Sequence, residues 1–197
     1  METFDFAAAM EKLKAVLKPE RYEHSLGVME TAGDMAARFG MDVGQARVAG
    51  ILHDCAKNIA QEEAYQLCDK YGVVLDEVSR QSYGLVHQYL GAALARAEYG
   101  IEDEEILSAI RCHTTGKANM GPLDKVLYLA DFTEPNRDKE PFTGLAELRA
   151  LCKTDLDAAM RYALEISIKS IADRGRMMHM DTVYAWNWIL GKNDKNT

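Results

Sequence analysis

The sequence is poor in proline and has no closely spaced pair of cysteines. Only four of its 197 residues are proline, and its apolar residues recur at intervals of three and four, the spacing of a helix and not of a strand. The cysteines Cys55, Cys68, Cys112 and Cys152 have neither the spacing of a thiolate metal site nor that of a disulfide framework. We therefore expect an all-α protein with reduced, buried thiols.

Positive charge and long apolar runs are also scarce. Lys and Arg number 23 against 31 Asp and Glu, a formal net charge of −8, which argues against broad binding to nucleic acid or to an anionic membrane. No run approaches the roughly 20 apolar residues of a membrane span, and the N-terminal METFDFAAAMEKLK carries acids where a secretory signal carries bases. We predict a cytoplasmic protein without nucleic-acid or membrane partners, in which a polyanionic substrate needs a local cationic pocket.

The length and the apolar content suit one domain. With 48% hydrophobic residues, residues 1–190 can form a single compact helical bundle, and the polar residues 191–197 are predicted to be a disordered tail. Capping residues and a first-turn proline predict helix starts at Asp5, Pro19, Asp42, Thr154 and Asp181. Periodicity predicts further helices near 61–71, 83–98, 103–114, 122–132 and 143–152, about ten helices in all.

One predicted helix is apolar on almost every side but contains two ionisable residues. These are His53 and Asp54 in VAGILHDCA, and a buried carboxylate is costly unless it is paired or bound to a metal ion. Adjacent helical residues point about 100° apart, so the pair suits a helix end. We expect this helix to end at Asn58, just after Lys57, so that Asp54 bridges two metal ions while His53 binds one.

Further histidines and a second aspartate lie in similar surroundings, in RYEHSLGV, LVHQYLGA, AIRCHTTG and VLYLADFTEPNR. A lone helical histidine is more often a hydrogen-bonded structural residue than a ligand, but several histidines with two embedded aspartates favour a metal site. A carboxylate at a helix C-terminus is unfavourable unless a cation accompanies it, which supports Asp131 as a ligand. The predicted metal ligands are His24, His53, Asp54, His87, His113 and Asp131.

This ligand set predicts the metal and the chemistry. Imidazoles and carboxylates without thiolate suit two divalent ions, iron or manganese, better than a closed structural zinc site. Two ions that share a carboxylate can generate hydroxide from water and neutralise phosphoryl oxygens, which predicts metal-dependent hydrolysis of a phosphate compound. We expect Asp54 to be catalytic as the shared ligand.

Several basic residues are candidates for contacts with substrate phosphates. Lys57 and Arg137 are predicted to be catalytic and to bind substrate, because each lies close in sequence to a predicted ligand. Arg111 and Lys117 flank His113 and are predicted as further substrate contacts, although solvated or ion-paired side chains are the more ordinary explanation. Arg21, three residues before His24, is a weaker candidate of the same kind.

Two other residues stay without a firm assignment. Glu134 could orient a water molecule or hold a ligand histidine, but acidic residues at helix ends are common. His179, in RMMHMDTV, lies apart from the other histidines and is predicted to be structural. Neither residue decides the function.

The order His24, His53–Asp54, Asp131 resembles that of the HD-domain metal-dependent phosphohydrolases, over roughly residues 20 to 140. The blocks RYEHSLGV, ILHDCAKN, HQYLGA, IRCHTTG and ADFTEPNR together resemble the bacterial YqeK-type proteins, which are symmetrical diadenosine-tetraphosphate hydrolases. This resemblance implies an HD-type helical bundle that binds iron and cuts its nucleotide substrate in the middle into two nucleoside diphosphates. It further implies one ion at His24, His53, Asp54 and Asp131 and a second at Asp54, His87 and His113.

Alternative functions remain open. The chain lacks the acidic pair that follows HD in guanosine-alarmone hydrolases and the HHE and GYP blocks of cyclic-dinucleotide hydrolases, so these branches are disfavoured. Deoxynucleotide and monophosphate hydrolases of the same type are not excluded. A non-catalytic, metal-stabilised module that senses nucleotides or partners an adenylyltransferase is the alternative from another class, and a homodimer is compatible with the sequence.

Overall fold

The computed structural model describes residues 4–139 and 142–193, and within these ranges every regular element is helical. The all-α prediction is confirmed. The helices are α1 (Phe6–Val16), α2 (Pro19–Arg38), α3 (Val43–Leu52), α4 (Gln61–Lys70), α5 (Glu77–Gln81), α6 (Val86–Tyr99), α7 (Glu104–Cys112), α8 (Pro122–Thr133), α9 (Leu145–Leu151), α10 (Leu156–Asp173) and α11 (Met180–Asn193), with 3-10 turns at Tyr83–Leu85 and Pro135–Lys139. Each of the ten predicted helices is present, and the short α5 is an additional one.

The helix starts follow local capping chemistry. Asp5 and Asp42 each accept a hydrogen bond from the backbone N–H three residues later, which satisfies one of the free donors of a first turn. Pro19 is the first residue of α2, as predicted. The cap of α10 is Asp155 and not Thr154, because the Asp155 carboxylate accepts from two backbone N–H groups.

The predicted disordered tail, residues 191–197, overlaps the last helix. Helix α11 continues through Asn193, so Gly191 does not end it and residues 191–193 are helical. The remaining residues of the predicted tail, 194–197, lie outside the described part of the chain.

The centre of the bundle is formed where α3 packs on α2, α7 and α8. The backbones of α2 and α3 approach so closely that a Cβ atom at Gly50 would lie 2.7 Å from Met29 Cα. Glycine is therefore required at this crossing. Leu52, at the end of α3, and Tyr128 of α8 are fully buried in the same core. This contact holds the end of α3 against the middle of α2, where two of the predicted metal ligands lie.

None of the helices in the described ranges has the length and apolar character needed to cross a membrane.

Candidate metal centre

Helix α3 ends at Leu52, earlier than the predicted end at Asn58. The ring Nδ1 of His53 lies 2.7 Å from the carbonyl oxygen of Gly50. A continuing helix would use that carbonyl for the backbone N–H of Asp54, so the side chain competes with the helix for its acceptor. Residues 53–58 form turns instead. The His-Asp pair therefore lies directly after the end of α3, where this side-chain bond replaces the next helical turn.

The same local hydrogen bond recurs at two other histidines. His87 Nδ1 lies 2.7 Å from the carbonyl oxygen of Gly84, and His113 Nδ1 lies 2.7 Å from that of Ile110. A carbonyl oxygen can only accept, so each of these Nδ1 atoms carries the proton. This bond turns Nε2 of each ring toward the interior, and a neutral ring in this orientation presents the Nε2 lone pair that binds a metal ion.

His24 has a side-chain partner in place of a carbonyl. Its Nδ1 lies 3.0 Å from Glu134 Oε1, and Glu134 Oε2 accepts a hydrogen bond of 2.7 Å from the backbone N–H of Asn136. Glu134 is almost completely buried. The carboxylate therefore fixes the His24 ring with Nε2 pointing inward, and of the two roles considered for Glu134 the structure supports the holding of a histidine.

Asp54 lies in the middle of these four rings. Its Oδ2 atom is 3.4 Å from His53 Nε2 and 4.0 Å from His24 Nε2, whereas its Oδ1 atom is 3.2 Å from His87 Nε2 and 3.7 Å from His113 Nε2. The two carboxylate oxygens thus face different pairs of imidazoles. This is the geometry that a carboxylate shared between two ions requires.

Two groups of potential ligand atoms result. Atoms of His24, His53 and Asp131 lie within 4.8 Å of one another, and so do atoms of His53, Asp54 and His113. His24 Nε2 is 3.0 Å from Asp131 Oδ1 in the first group. The structure therefore brings together all six predicted ligands, including His87, whose Nε2 is 3.0 Å from that of His113.

Several inward atoms have no hydrogen-bond partner. The Nε2 atoms of His24 and His53 and the Oδ1 atom of Asp54 are buried and make no aligned hydrogen bond, although His24 Nε2 lies 3.0 Å from Asp131 Oδ1. Such crowding is costly unless a cation compensates. The contact between His87 and His113 gives the same indication, because both rings carry their proton on Nδ1 and their Nε2 lone pairs face each other. These residues fit divalent metal ions.

The charge states of both aspartates and of His87 also suit metal ions. Burial would raise the pKa of Asp54, but His53 and the other imidazoles hold it well below its ordinary value. Burial acts in the same direction on Asp131, whose pKa is held well below its ordinary value by His24 and Arg137. Burial lowers the pKa of His87 to about 4. The carboxylates are therefore ionised and this imidazole is neutral, as metal binding requires.

Three basic side chains reach the centre. Arg137 Nη2 is 2.6 Å from Asp131 Oδ1, and Lys57 Nζ is 3.0 Å from His87 Nε2. Arg21 Nη1 is 2.8 Å from Asp54 Oδ2. Arg21, predicted only as a weaker candidate, therefore reaches the centre, and its position one helical turn before His24 on α2 was the available signal.

A cleft of about 960 Å³ opens beside the centre. Lys57, His113, Asp131 and Arg137 line it. Arg111 and Lys117, which were predicted to contact substrate, do not.

Lys117 Nζ lies 2.9 Å from Asp124 Oδ2 at the start of α8, and the Arg111 side chain is exposed away from the cleft. An ion pair with the capping residue of α8 therefore accounts for Lys117. His179 lines the cleft outside the histidine cluster.

The fold and the centre define a class of protein, the helical bundles that bind divalent metal ions through buried histidines and aspartates. A family model described as "HD domain" matches residues 21–136. The chain belongs to the HD-domain family, and the resemblance found in its sequence is confirmed. Membership implies binding of divalent metal ions, which agrees with the ligand groups described above.

Two curated relatives cover almost the whole chain. A protein of Halalkalibacterium halodurans named "Bis(5'-nucleosyl)-tetraphosphatase, symmetrical" is 39% identical over 187 residues, covering 92% of this chain and 95% of that protein. A Bacillus subtilis protein of the same name is 37% identical over 182 residues, covering 92% of this chain and 96% of its own.

A solved structure is also similar. It is described as a predicted HD superfamily hydrolase involved in NAD metabolism from Clostridium acetobutylicum, and it has 36% sequence identity and a TM-score of 0.91 to this chain. The match covers 96% of this chain and 99% of that one. The likeness therefore extends over the whole bundle and beyond the metal centre.

Replacing Glu134 with glutamine is expected to weaken metal binding by about tenfold or more. The glutamine oxygen must accept from the Asn136 N–H, so its NH₂ group faces His24 and favours the tautomer with the proton on Nε2. Calorimetric titration of the apoprotein with Mn²⁺ measures the change in metal affinity. Glu165→Gln, the same change in an exposed pair with Lys169, is the control, and equal affinities for the two variants would contradict the role of Glu134.

Proposed function

We propose that this chain is a symmetrical bis(5'-nucleosyl)-tetraphosphatase, which hydrolyses diadenosine tetraphosphate to two molecules of ADP. The observation that carries the proposal is the position of Asp54, with one carboxylate oxygen toward each of two imidazole pairs beside a cleft that can admit a nucleotide. The two curated relatives with this activity in their names support the choice of substrate.

The proposed cofactor is a pair of divalent ions, iron in the native protein with manganese as a substitute. His24, His53, Asp54 and Asp131 would hold one ion, and Asp54, His87 and His113 would hold the other. When bound, such a pair activates water for attack and neutralises the charge of the phosphoryl oxygens. The oxygen and nitrogen donors of the site favour these metals over a metal that prefers thiolate ligands.

Lys57 and Arg137 are proposed to bind the substrate phosphates. Both side chains lie at the boundary between the metal centre and the cleft, and both are now close to side chains that metal ions would also contact. Bound metal ions would take over the contacts with His87 and Asp131. The Lys57 and Arg137 side chains would then be available for phosphate oxygens. Arg21, which hydrogen-bonds Asp54, is a third candidate for the same role.

Turnover of diadenosine tetraphosphate is expected to give ADP as the only nucleotide product. In ¹⁸O-labelled water, one labelled oxygen should enter the terminal phosphate of one ADP per event, because the attack occurs at phosphorus. Chromatography with mass spectrometry on the Fe²⁺-loaded or Mn²⁺-loaded protein measures both. Equal amounts of AMP and ATP would contradict symmetrical cleavage. Cleavage of a deoxynucleotide, a monophosphate or a guanosine alarmone in place of the dinucleotide would assign the chain to another branch of the family.

Asp54→Ala is expected to abolish turnover and to lose most of the bound metal, because it removes the proposed shared ligand. Addition of Mn²⁺ raises the melting temperature of a protein that binds it only when folded, and this increase should disappear in the variant. Asp34→Ala removes an exposed carboxylate on α2 and is the control. Full metal content in Asp54→Ala, measured by elemental analysis, would refute the shared-ligand assignment.

Lys57→Ala is expected to keep its metal and lose catalysis. If Lys57 stabilises negative charge that develops on the phosphoryl group during attack, the variant has a lower kcat. If it holds the phosphates equally throughout the reaction, KM rises and kcat is unchanged. Lys153→Ala, at an exposed position, controls for the loss of one positive charge from an acidic protein. An unchanged kcat/KM with full metal content would show that Lys57 does not act on the substrate.

A further inference from the structure

The cleft continues away from the metal centre along α8 and α10. This part of the cleft, the outer arm, is lined by apolar side chains of both helices and of the segment after Arg137, and by two arginines. Its lining residues are Phe132, Phe142, Ile166, Ile171, Arg174 and Arg176. A ligand pocket combines an apolar wall with a few polar groups in this way.

The aromatic wall of the outer arm is built from neighbouring rings. Phe132 stacks on Tyr128 with ring centroids 5.3 Å apart and meets the edge of Phe142 at 6.0 Å. Both phenylalanines are only partly buried, so they keep apolar surface toward the cleft. A planar base is a ligand that such a surface fits.

The two arginines are held at the rim by the end of α10. Gly175 has a φ of +57°, and its N–H donates to the carbonyl of Ala172 at 3.0 Å, while the N–H of Arg176 donates to the carbonyl of Ile171 at 3.0 Å. This pair of bonds is the Schellman motif, which reverses the chain after a helix. Arg174 and Arg176 therefore flank a fixed turn that borders the cleft.

The segment after the arginines is anchored to the rest of the fold. The buried His179 pairs with the Asp76 carboxylate and lies 3.2 Å from Tyr89 Oη. Thr182 Oγ1 donates to the carbonyl of Thr115 at 2.9 Å. The rim of the outer arm is thus tied to the turn that follows His113.

Within the part of the chain that the structure describes, neither Arg174 nor Arg176 has a side-chain hydrogen bond or ion pair. Arg21 and Arg137, in contrast, are bonded to carboxylates of the metal centre. A favourable interaction with the C-terminal dipole of α10 accounts for basic residues near this helix end. The helix dipole does not explain why both arginines line the cleft in a protein whose net charge is −8.

We infer that the outer arm is a nucleoside subsite, in which Arg174 and Arg176 bind the 5′-phosphate oxygens of one half of the substrate and the apolar wall contacts its base. The inference rests on the proposed function. One nucleoside diphosphate would place its terminal phosphate at the metal centre and its inner phosphate and nucleoside in the arm. Guanidinium groups suit the inner phosphate because they donate two parallel hydrogen bonds.

The test compares two ligands on the Mn²⁺-loaded protein by calorimetry. The outer arm begins at Phe132, directly after Asp131, so ADP can extend from the centre into the arm, whereas orthophosphate is too small to occupy both. The double variant Arg174→Ala/Arg176→Ala is expected to bind ADP about tenfold or more weakly, with orthophosphate affinity and melting temperature unchanged. Arg38→Ala, at an exposed position on α2, is expected to bind both ligands as the wild type does. Each single variant is measured as well, in case the double variant folds poorly.

Three results would overturn the inference. They are an unchanged ADP affinity in the arginine variants, an equal loss of ADP and orthophosphate affinity, and a wild-type protein that does not bind ADP. A failure of the proposed function would give a different result from a failure of the nucleoside subsite. A wild-type protein that binds ADP through the arginines but does not hydrolyse diadenosine tetraphosphate would refute the assigned reaction and leave the nucleoside subsite in place.

Discussion

The centre of this protein depends on one hydrogen bond that is used three times. His53, His87 and His113 each donate Nδ1–H to the carbonyl three residues earlier. This bond places a proton on Nδ1 and fixes the direction of the ring. Because donor and acceptor lie in the same turn, the orientation of each ring is set locally. Helix packing then has only to bring the turns together, with Asp54 between them.

The cluster is electrostatically incomplete without cations. Ionised Asp54 and Asp131 and the facing Nε2 lone pairs concentrate acceptors in a buried volume, and the inward atoms of His24 and His53 have no hydrogen-bond partner. In the structure, Arg21, Lys57 and Arg137 partly compensate. Metal ions would compensate more fully, since each can contact several of these atoms at once. Metal binding and native-state stability are therefore coupled here.

The sequence predicted the features that depend on residue type and on helical period. It did not predict features that depend on a particular side-chain contact. Helices and the six clustered histidines and aspartates follow from periodicity and from the cost of burying ionisable groups. The early end of α3 was missed because a histidine ring takes the carbonyl of Gly50, which periodicity does not reveal. Lys117 was assigned to substrate because its partner, Asp124, is recognisable only when α7 and α8 are placed together. Arg174 and Arg176 were overlooked because they are distant in sequence from every predicted ligand.

The bond from Thr182 to the carbonyl of Thr115 joins the part of the chain that the family model matches to the part that follows it. The family model stops at residue 136 and contains all six clustered histidines and aspartates, whereas α10 and α11 lie after it and contribute one wall of the cleft. The reactive centre and the wall that a ligand meets are thus encoded in separate stretches of sequence. Substitutions in the second stretch that spare its buried core residues can alter what the cleft admits without altering the centre.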